Sequence, residues 1–445
     1  MAASSFDFLI VGNSTAAVGA VEAIRSVDKT SSIGVIAHEP EHTYSRPLIT
    51  YFVAGKVAED NIYYRPADFY ERNQVELLTG LEVTRVVRTQ QLRDEEQSRS
   101  IGGAGSVEIR EGEPIFYRKA VLLAAGGAPI VPPVPGTDRP GVFFMNTIDD
   151  ARRAKGWLAH ASRAVVVGAG LTGLKTAEAL AQIGQEVTVV EMMDRVLATT
   201  MDETGSELVK NVLVKNGVEV LNGVRMTAIE GSQDANDAAA VALSTGERLA
   251  CDSVFLTIGV RARTSLVDGS GIDTNRGILV DRHMRTNVDN IYAAGDIAEA
   301  YDPLSGGNRV VPILPNAYIG GRVAGMNMAG AAAEYNVGMA VNSVSFFGEP
   351  FMSAGFATES DGEEFRVVSR LEGDLYRKFV IRNNKLVGMI ITGDVERAGL
   401  ITGAMRAELD VSGMENALLT GEMGLICLPR EMVEERIHGV GRNWL

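Results

Sequence analysis

Asn287-Val288-Asp289-Asn290-Ile291-Tyr292-Ala293-Ala294-Gly295-Asp296-Ile297-Ala298 is the stretch on which the reading of this chain turns. A short apolar run stops there at Gly295-Asp296. Alone, it reads as an ordinary strand followed by a turn. Four motifs on its N-terminal side give it a different meaning.

The clearest of them lies between Arg163 and Glu191. Arg163 to Val167 is an apolar strand, Leu174 to Gln182 is a helix, and Gly168-Ala169-Gly170-Leu171-Thr172-Gly173 joins the two. This is a complete dinucleotide fingerprint inside a β-α-β unit: glycines for the tight turn, for backbone approach to a pyrophosphate and for helix packing. The next strand, Glu186 to Val190, ends in Glu191, 18 residues beyond Gly173. A carboxylate there bonds a ribose 2′-OH and repels a 2′-phosphate, so NAD(H) is preferred over NADP(H). Arg195, four positions on, could still reach a 2′-phosphate.

An earlier unit has the same grammar. Phe6 to Val11 is a buried-type strand, Ala16 to Arg25 a helix, and Ser32 to Ala37 a second strand ending just before Glu39. Between strand and helix stand Gly12, Asn13, Ser14, Thr15, Ala16 and Ala17. Gly12 and Ala17 fit the first and third fingerprint positions, while Ser14 replaces the second glycine. Each unit is followed by a strand-rich tail, Val75 to Tyr117 and Val218 to Leu256, which makes a partial internal repeat. The first tail is expected to be an antiparallel insertion with a mobile acidic loop, Asp94 to Ser106. Val121 to Ala125 then closes the first unit and runs into Gly126-Gly127, with a proline cluster from Pro129 to Pro135 stiffening the crossover. Asn146 to Gly156 is a helical connector.

Tyr44-Ser45-Arg46-Pro47-Leu48 offers a guanidinium fork on an extended path. Ile258-Gly259-Val260-Arg261 leaves the second unit. Pro315 to Gly330 is a helix of small residues, expected to pack closely against something flat. From about Tyr335 the pattern changes to strands at Ser343–Phe347, Phe365–Ser369, Leu375–Ile381 and Leu386–Thr392, then helices. Phe346, Phe347, Phe351 and Phe356 are read as core there rather than as cofactor contacts.

Composition narrows the class. At 445 residues the chain suggests about three domains. The hydrophobic fraction is 46%, and 48 glycines point to many close backbone approaches. With 42 basic against 57 acidic residues the net charge is −15, which repels a phosphate backbone and argues against nucleic acid. Only Cys251 and Cys427 occur, far apart, so no CxxC pair or clustered metal site is expected. Apolar runs are too short to span a bilayer, and Met1 to Phe8 lacks a signal-peptide pattern, so a soluble cytoplasmic protein is expected.

With Gly12 to Ala17, Ala124-Ala125-Gly126, Gly168 to Gly173, Ile258 to Arg261 and Asn290 to Asp296 in this order, the chain resembles the flavin-dependent pyridine-nucleotide oxidoreductases. Within them it looks most like the branch of rubredoxin reductases, nitrite-reductase flavin domains and NADH oxidases. The fold implied is α/β, with two Rossmann-like dinucleotide-binding domains and a C-terminal α+β domain. An FAD-binding domain at 1–149 and 265–335 would be interrupted by an NAD-binding domain at 150–264, and 336–445 would form the C-terminal domain. FAD would lie over Gly12 to Ala17, meet Glu39 and Val83, and be bonded by Gly295-Asp296. Arg46 and Pro47 would stand beside it, Ala125 and Gly126 would close over it, and Asn316 and Ala317 would face its pyrimidine end. NADH would enter along Gly168, Gly170, Leu171, Thr172 and Gly173, with Glu191 and Gly259.

Departures from the family's pattern shape the functional expectation. Thiol-dependent members place a reactive cysteine just after the segment matching Tyr44 to Tyr51, and Pro40 to Gly80 has none. Related ferredoxin and rubredoxin reductases often have a lysine where Tyr51 stands and a glutamate where Lys175 stands. Lys175 is therefore expected to supply, from the nucleotide-domain side, the positive charge that Tyr51 cannot, and Lys175, Tyr51 and Arg46 are the candidate catalytic residues. The resemblance implies hydride exchange between NADH and FAD, with single-electron transfer to an iron-sulfur or rubredoxin-type protein or subunit. A homodimer through the C-terminal domain is a further possibility. A flavin oxidase acting on oxygen and a non-catalytic FAD- and NAD-binding subunit stay open as alternatives.

Overall fold

The computed structural model describes residues 4–88, 104–232 and 237–424. Most of the acidic loop read at 94–106 lies outside these residues, as does Cys427. Strand β1 (Ser5–Val11), helix α1 (Thr15–Val27) and β2 (Ile33–Ile36) form the first β-α-β unit. Both strands are buried along almost their whole length, as apolar runs in a parallel sheet covered on both faces must be. Short helices α2 (Ile49–Val53) and α3 (Phe69–Arg72) lead to β3 (Val75–Leu78), β4 (Val83–Arg88), β5 (Gly105–Ile109) and β6 (Ile115–Leu123). The sheet runs β3-β2-β1-β6-β5-β4. The expected antiparallel insertion begins later than Val75, because β3 pairs parallel with β2. A four-residue strand with three apolar residues fits either direction, and only the sheet decides.

Strand β7 (Gly127–Pro129) carries the chain out of this sheet. There follow β8 (Val142–Phe143), α4 (Ile148–Leu158), β9 (Arg163–Val167), α5 (Leu171–Gln182), β10 (Glu186–Glu191), α6 (Glu203–Lys215) and β11 (Val218–Asn222). Next come the antiparallel strands β12 (Met226–Gly231), β13 (Ala238–Leu243) and β14 (Arg248–Ala250), then β15 (Ser253–Leu256). The second sheet is parallel throughout, in order β11-β10-β9-β15-β8. The chain returns along β16 (Val260–Ala262), which pairs antiparallel with β7. Both crossings between the sheets thus form one two-stranded ribbon.

Back in the first body, β17 (Ile278–Leu279), β18 (Ile291–Ala293), β19 (Ala298–Asp302), β20 (Gly307–Arg309) and α7 (Leu314–Met328) follow. β18 joins the first sheet as a parallel partner of β6. The small-residue helix α7 packs not on a flat surface but on helix α1. A Cβ at Gly321 would lie 1.9 Å from Ala16 O, one at Gly325 2.5 Å from Ala20 O, and one at Gly19 2.3 Å from Tyr318 O.

The C-terminal part is an antiparallel sheet, β21 (Val341–Phe346), β22 (Glu349–Gly355), β23 (Arg366–Glu372), β24 (Leu375–Arg382) and β25 (Lys385–Thr392), in order β21-β22-β25-β24-β23. Helices α8 (Ala398–Arg406) and α9 (Glu415–Thr420) follow. Phe346 and Phe351 are buried and share a core with the second parallel sheet, while Phe347 and Phe356 are partly buried. No helix among the described residues is long and apolar enough to cross a membrane.

Candidate active site

Strands β1, β6 and β18 lie side by side in parallel and finish together at Val11, Leu123 and Ala293. Backbone bonds continue the alignment past the ends: Ala124 N donates to Val11 O at 2.7 Å and Ala294 N to Leu123 O at 3.1 Å. Three loops therefore meet at the carboxyl edge of the sheet, where open parallel sheets bind their ligands. Gly12 has φ +113°, and a Cβ there would sit 2.2 Å from Ala124 O. Gly295, at φ +78°, faces the Ala16 methyl. Asp296 is brought to this edge. Burial pushes its carboxyl above the ordinary range, and the Arg46 guanidinium pulls the other way.

The helix termini tell the same story. Among the described helices of more than ten residues, α4 and α6 are capped by the side chains of Thr147 and Asp202. Helices α1, α5 and α7 have no side-chain cap. Their first-turn N–H groups are left for another acceptor, which suits a pyrophosphate at α1 and α5. Of the fingerprint residues of the first unit, Ser14 is the uncapping N-cap, Thr15, Ala16 and Ala17 are buried in α1, and Asn13 accepts from the Tyr70 hydroxyl and donates to Glu41 O at 3.2 Å.

Arg46 and Glu39 are brought together. One guanidinium nitrogen of Arg46 donates to Glu39 Oε1, the other to Asn146 O. The remaining Glu39 oxygen accepts from the Tyr44 hydroxyl, which in turn accepts from Ile148 N at 3.1 Å. The carboxylate expected on a ribose is thus also the anchor of the Arg46 loop. Pro47 follows in a single 3-10 turn leading to α2. Asn316 and Ala317, in the first turn of α7, line a small cavity with Gly295, Met284, Tyr335 and Gly338. Val83 opens β4 within the core of the first sheet. Ala125 is half-buried, and Gly126 (φ +65°) has open space where a Cβ would point.

In the second unit the three glycines show three different needs. A Cβ at Gly168 would meet Thr257 O at 2.7 Å, and one at Gly173 would meet Gly168 O at 1.9 Å. One at Gly170 would meet nothing within 4 Å, so this position faces the open crevice. Leu171 and Thr172 open α5 beside it. Glu191 spans the loop, accepting from Ala169 N at 2.6 Å and Met193 N at 2.7 Å. Arg195 is turned to Asp194. Gly259, at φ +108°, starts the return ribbon.

Lys175 and Tyr51 are also brought together, the ammonium standing 4.8 Å from the Tyr51 ring centroid. Sequence reading missed the third member, Glu178, whose carboxylate pairs with Lys175. Its only signal was the spacing of opposite charges at i and i+3 on a helix. Thr257, whose hydroxyl ties Val167 O and Gly168 O at 2.9 and 3.2 Å, left no sequence signal.

The one cysteine among the described residues, Cys251, is buried. Burial, with Asp252 beside it, pushes its thiol up to about 12, so it is inert near neutral pH. No cluster of His, Cys, Asp and Glu among the described residues is arranged to hold a metal ion.

Comparison with known proteins accords with this geometry. Residues 6–318 match the pyridine nucleotide-disulphide oxidoreductase family, and residues 341–409 match the rubredoxin NAD+ reductase C-terminal domain. The chain is 30% identical over 428 residues to the NADH-dependent phenylglyoxylate dehydrogenase subunit epsilon of Aromatoleum evansii, covering 94% of this chain and 96% of that one. It is 28% identical to a rubredoxin-NAD(+) reductase of Alcanivorax borkumensis, covering 87% of this chain and 94% of that one. Its fold is similar to that of a chain in the crystal structure of the covalent putidaredoxin reductase-putidaredoxin complex, with TM-score 0.81, 21% identity and 99% of each chain covered. The two uncapped crevices, the glycine cradles and these matches lead to one conclusion: the chain belongs to the pyridine nucleotide-disulphide oxidoreductase family, as an FAD- and NAD(H)-dependent oxidoreductase.

Proposed function

We propose that this protein exchanges hydride between NAD(H) and FAD and passes electrons singly to or from an iron-sulfur or rubredoxin-type protein, either free or as a partner subunit. The lack of a cysteine beside the expected flavin position carries the reading: Pro40 to Gly80 contains none, and Cys251 sits inert behind the second sheet. Electrons that cannot enter a dithiol in this chain need an acceptor outside it. Two relatives support this by name, one a rubredoxin reductase, the other a subunit of a larger dehydrogenase. A cytoplasmic location and a homodimer built on the C-terminal sheet belong to the same proposal, as do the domain limits 1–149, 150–264, 265–335 and 336–445.

When bound, FAD supplies the capacity to take two electrons together and release them one at a time. The chain supplies position. The free amides of α1 and the Asp296 carboxylate would hold the pyrophosphate and ribityl groups, with Glu39 and Val83 at the adenosine end. Arg46 and Pro47 would stand beside the flavin, Ala125 and Gly126 would close over it, and Asn316 and Ala317, in the first turn of α7, would face its pyrimidine end. Gly168, Gly170, Leu171, Thr172, Gly173 and Gly259 would hold NADH, so that the protein's contribution to hydride exchange would be proximity and orientation. Lys175 and Tyr51 stand at the junction of the two sites.

Anaerobic stopped-flow tests the reading. NADH is expected to bleach the yellow protein, and a rubredoxin or small iron-sulfur protein to restore the colour faster than air does. A protein that stays oxidised with NADH is a non-catalytic binder, and one that air reoxidises fastest is an oxidase.

Glu191 gives a sharper prediction. Met192, 63% exposed at the end of β10, flanks the expected ribose position. Met192→Arg adds a charge-assisted donor for a 2′-phosphate, so kcat/KM for NADPH is expected to rise about tenfold or more. Glu191→Ala is expected to impair both nucleotides, because it also releases the amides of Ala169 and Met193. A kcat/KM for NADPH that is unchanged in Met192→Arg would place the ribose site elsewhere.

A further inference from the structure

The Lys175–Glu178 pair lies where the three parts of the molecule touch. Both side chains are largely enclosed, at 15% and 5% exposure. The ammonium donates to Glu178 Oε2 and, at 2.9 Å, to Ser345 O of β21. It also faces the rings of Tyr51, on α2, and Phe346, on β21, at 4.8 and 5.8 Å. The other carboxylate oxygen of Glu178 accepts from Phe347 N at 2.9 Å and Gln182 Nε2 at 3.1 Å. Phe347 has φ +49°, left-handed backbone that a phenylalanine adopts only when something holds it.

Each partner therefore makes one contact to the other and one to the backbone of the C-terminal hairpin, while the cation also covers the aromatic ring of the first body. Helix α5, which carries the pair, begins at the nucleotide fingerprint. Helix α2, which carries Tyr51, begins at the Arg46 loop. A rigid link between these helices fixes the distance between the two cofactor sites, and a buried pair loses that rigidity if either charge is removed. Lys175 spends its charge on a carboxylate of its own helix, so its effect on the flavin site is one of placement.

We propose that Glu178 is a positioning residue: through Lys175 it locks the nucleotide helix α5 to α2 and to the β21–β22 hairpin, and so sets the gap between nicotinamide and flavin. The consequence for hydride transfer rests on the site assignment proposed above, whereas the lock itself does not.

The test uses the full-length FAD-loaded protein. Glu178→Gln keeps the volume and the acceptor for Phe347 N, and Lys175→Met with Glu178→Gln removes both charges and leaves none stranded. In both variants, amide exchange at 345–347 is expected to rise about tenfold. Bleaching by NADH is expected to slow about tenfold, with the Kd for NADH within twofold of wild type. Glu178→Asp, which keeps the charge, is expected to recover part of both. Wild-type exchange at 345–347 in both variants, or faster exchange with an unchanged bleaching rate, overturns the proposal. If wild type itself is not bleached, the functional reading fails instead, and the exchange result still reports on the lock.

Discussion

Gly321→Ala is expected to cost the protein its FAD and to lower its melting temperature by on the order of 10 °C. The reason is geometric. The added methyl would lie 1.9 Å from Ala16 O, and its neighbours on α1 and α7 leave no slack, since a Cβ at Gly19 or Gly325 would meet opposing backbone at 2.3 or 2.5 Å. A flexible side chain could turn away from such a contact, but a carbonyl inside a helix cannot. The helices must separate, and overpacking of this kind costs about 1–3 kcal/mol or more. Ala16 belongs to the fingerprint proposed to receive the pyrophosphate, and α7 carries Asn316 and Ala317, so the separation would pull apart the two walls of the proposed flavin site. Gly156→Ala is the control. That glycine lies in α4 with nothing within 4 Å of an added Cβ, and the same change there is expected to be neutral or to stabilise by about 0.5–1 kcal/mol. Absorbance at the flavin band and a thermal melt decide the matter. A Gly321→Ala protein that keeps both its colour and its Tm would mean that the helix crossing is softer than it looks.

Asp202→Ala is expected to be the most destabilising polar substitution, by about 3–5 kcal/mol. Asp202 caps α6 through Gly205 N at 3.0 Å, and its other oxygen accepts from Tyr376 Oη at 2.7 Å and Lys378 Nζ at 3.1 Å. Lys378 is only 4% exposed, so truncation leaves an ammonium in the interior without its carboxylate. The lost cap adds about 1 kcal/mol. Asp202→Asn keeps the cap, and its amide nitrogen can donate to the Tyr376 hydroxyl in place of the bond that Oδ2 accepted, but the charge is gone, so it should fall between. Adding Lys378→Met to Asp202→Ala should recover most of the loss, because the stranded charge goes with it. Limited proteolysis near 376–394, read beside the melt, separates loosening of the C-terminal sheet from global unfolding. Equal stability of the single and double variants would show that Lys378 finds water or another acceptor.

Much of this architecture was legible because its signals are local. Buried parallel strands such as Phe6–Val11 and Arg163–Val167 are short apolar runs, and each is followed at once by small residues and a helix. Other features required the third dimension. Strand β22 escaped notice because it contains Pro350 and Gly355, and both residues weaken a strand pattern. The stripe of small residues in α7 announced a close approach, yet nothing in it named helix α1 as the partner. Glu39 was legible as an acid after a strand and Arg46 as a guanidinium in a loop, but their pairing depends on the turn between them. The meeting of Tyr51, Lys175 and Phe346 joins residues from three parts of the chain, and no periodicity brings those together. The identity of the electron acceptor has no local signal either, since a docking face is a property of assembled surface.

The ribbon of β7 and β16 carries one more implication. Ala128 and Arg261 are paired backbone neighbours, so the polypeptide enters and leaves the second parallel sheet at nearly the same point in space. Everything from Ile130 to Gly259 is then a cassette with adjoining ends, which starts before the proposed limit at 150 because β8 pairs with β15 of the second sheet, and is plugged into a host fold that is continuous without it. A two- to five-residue turn from Pro129 to Val260 would close the host as a hairpin, and the excised cassette would begin and end side by side. A cassette of different nucleotide preference could be grafted through this one socket, with the surfaces against α2, the Tyr44–Arg46 loop, Glu41, Glu59 and the C-terminal sheet left to be matched.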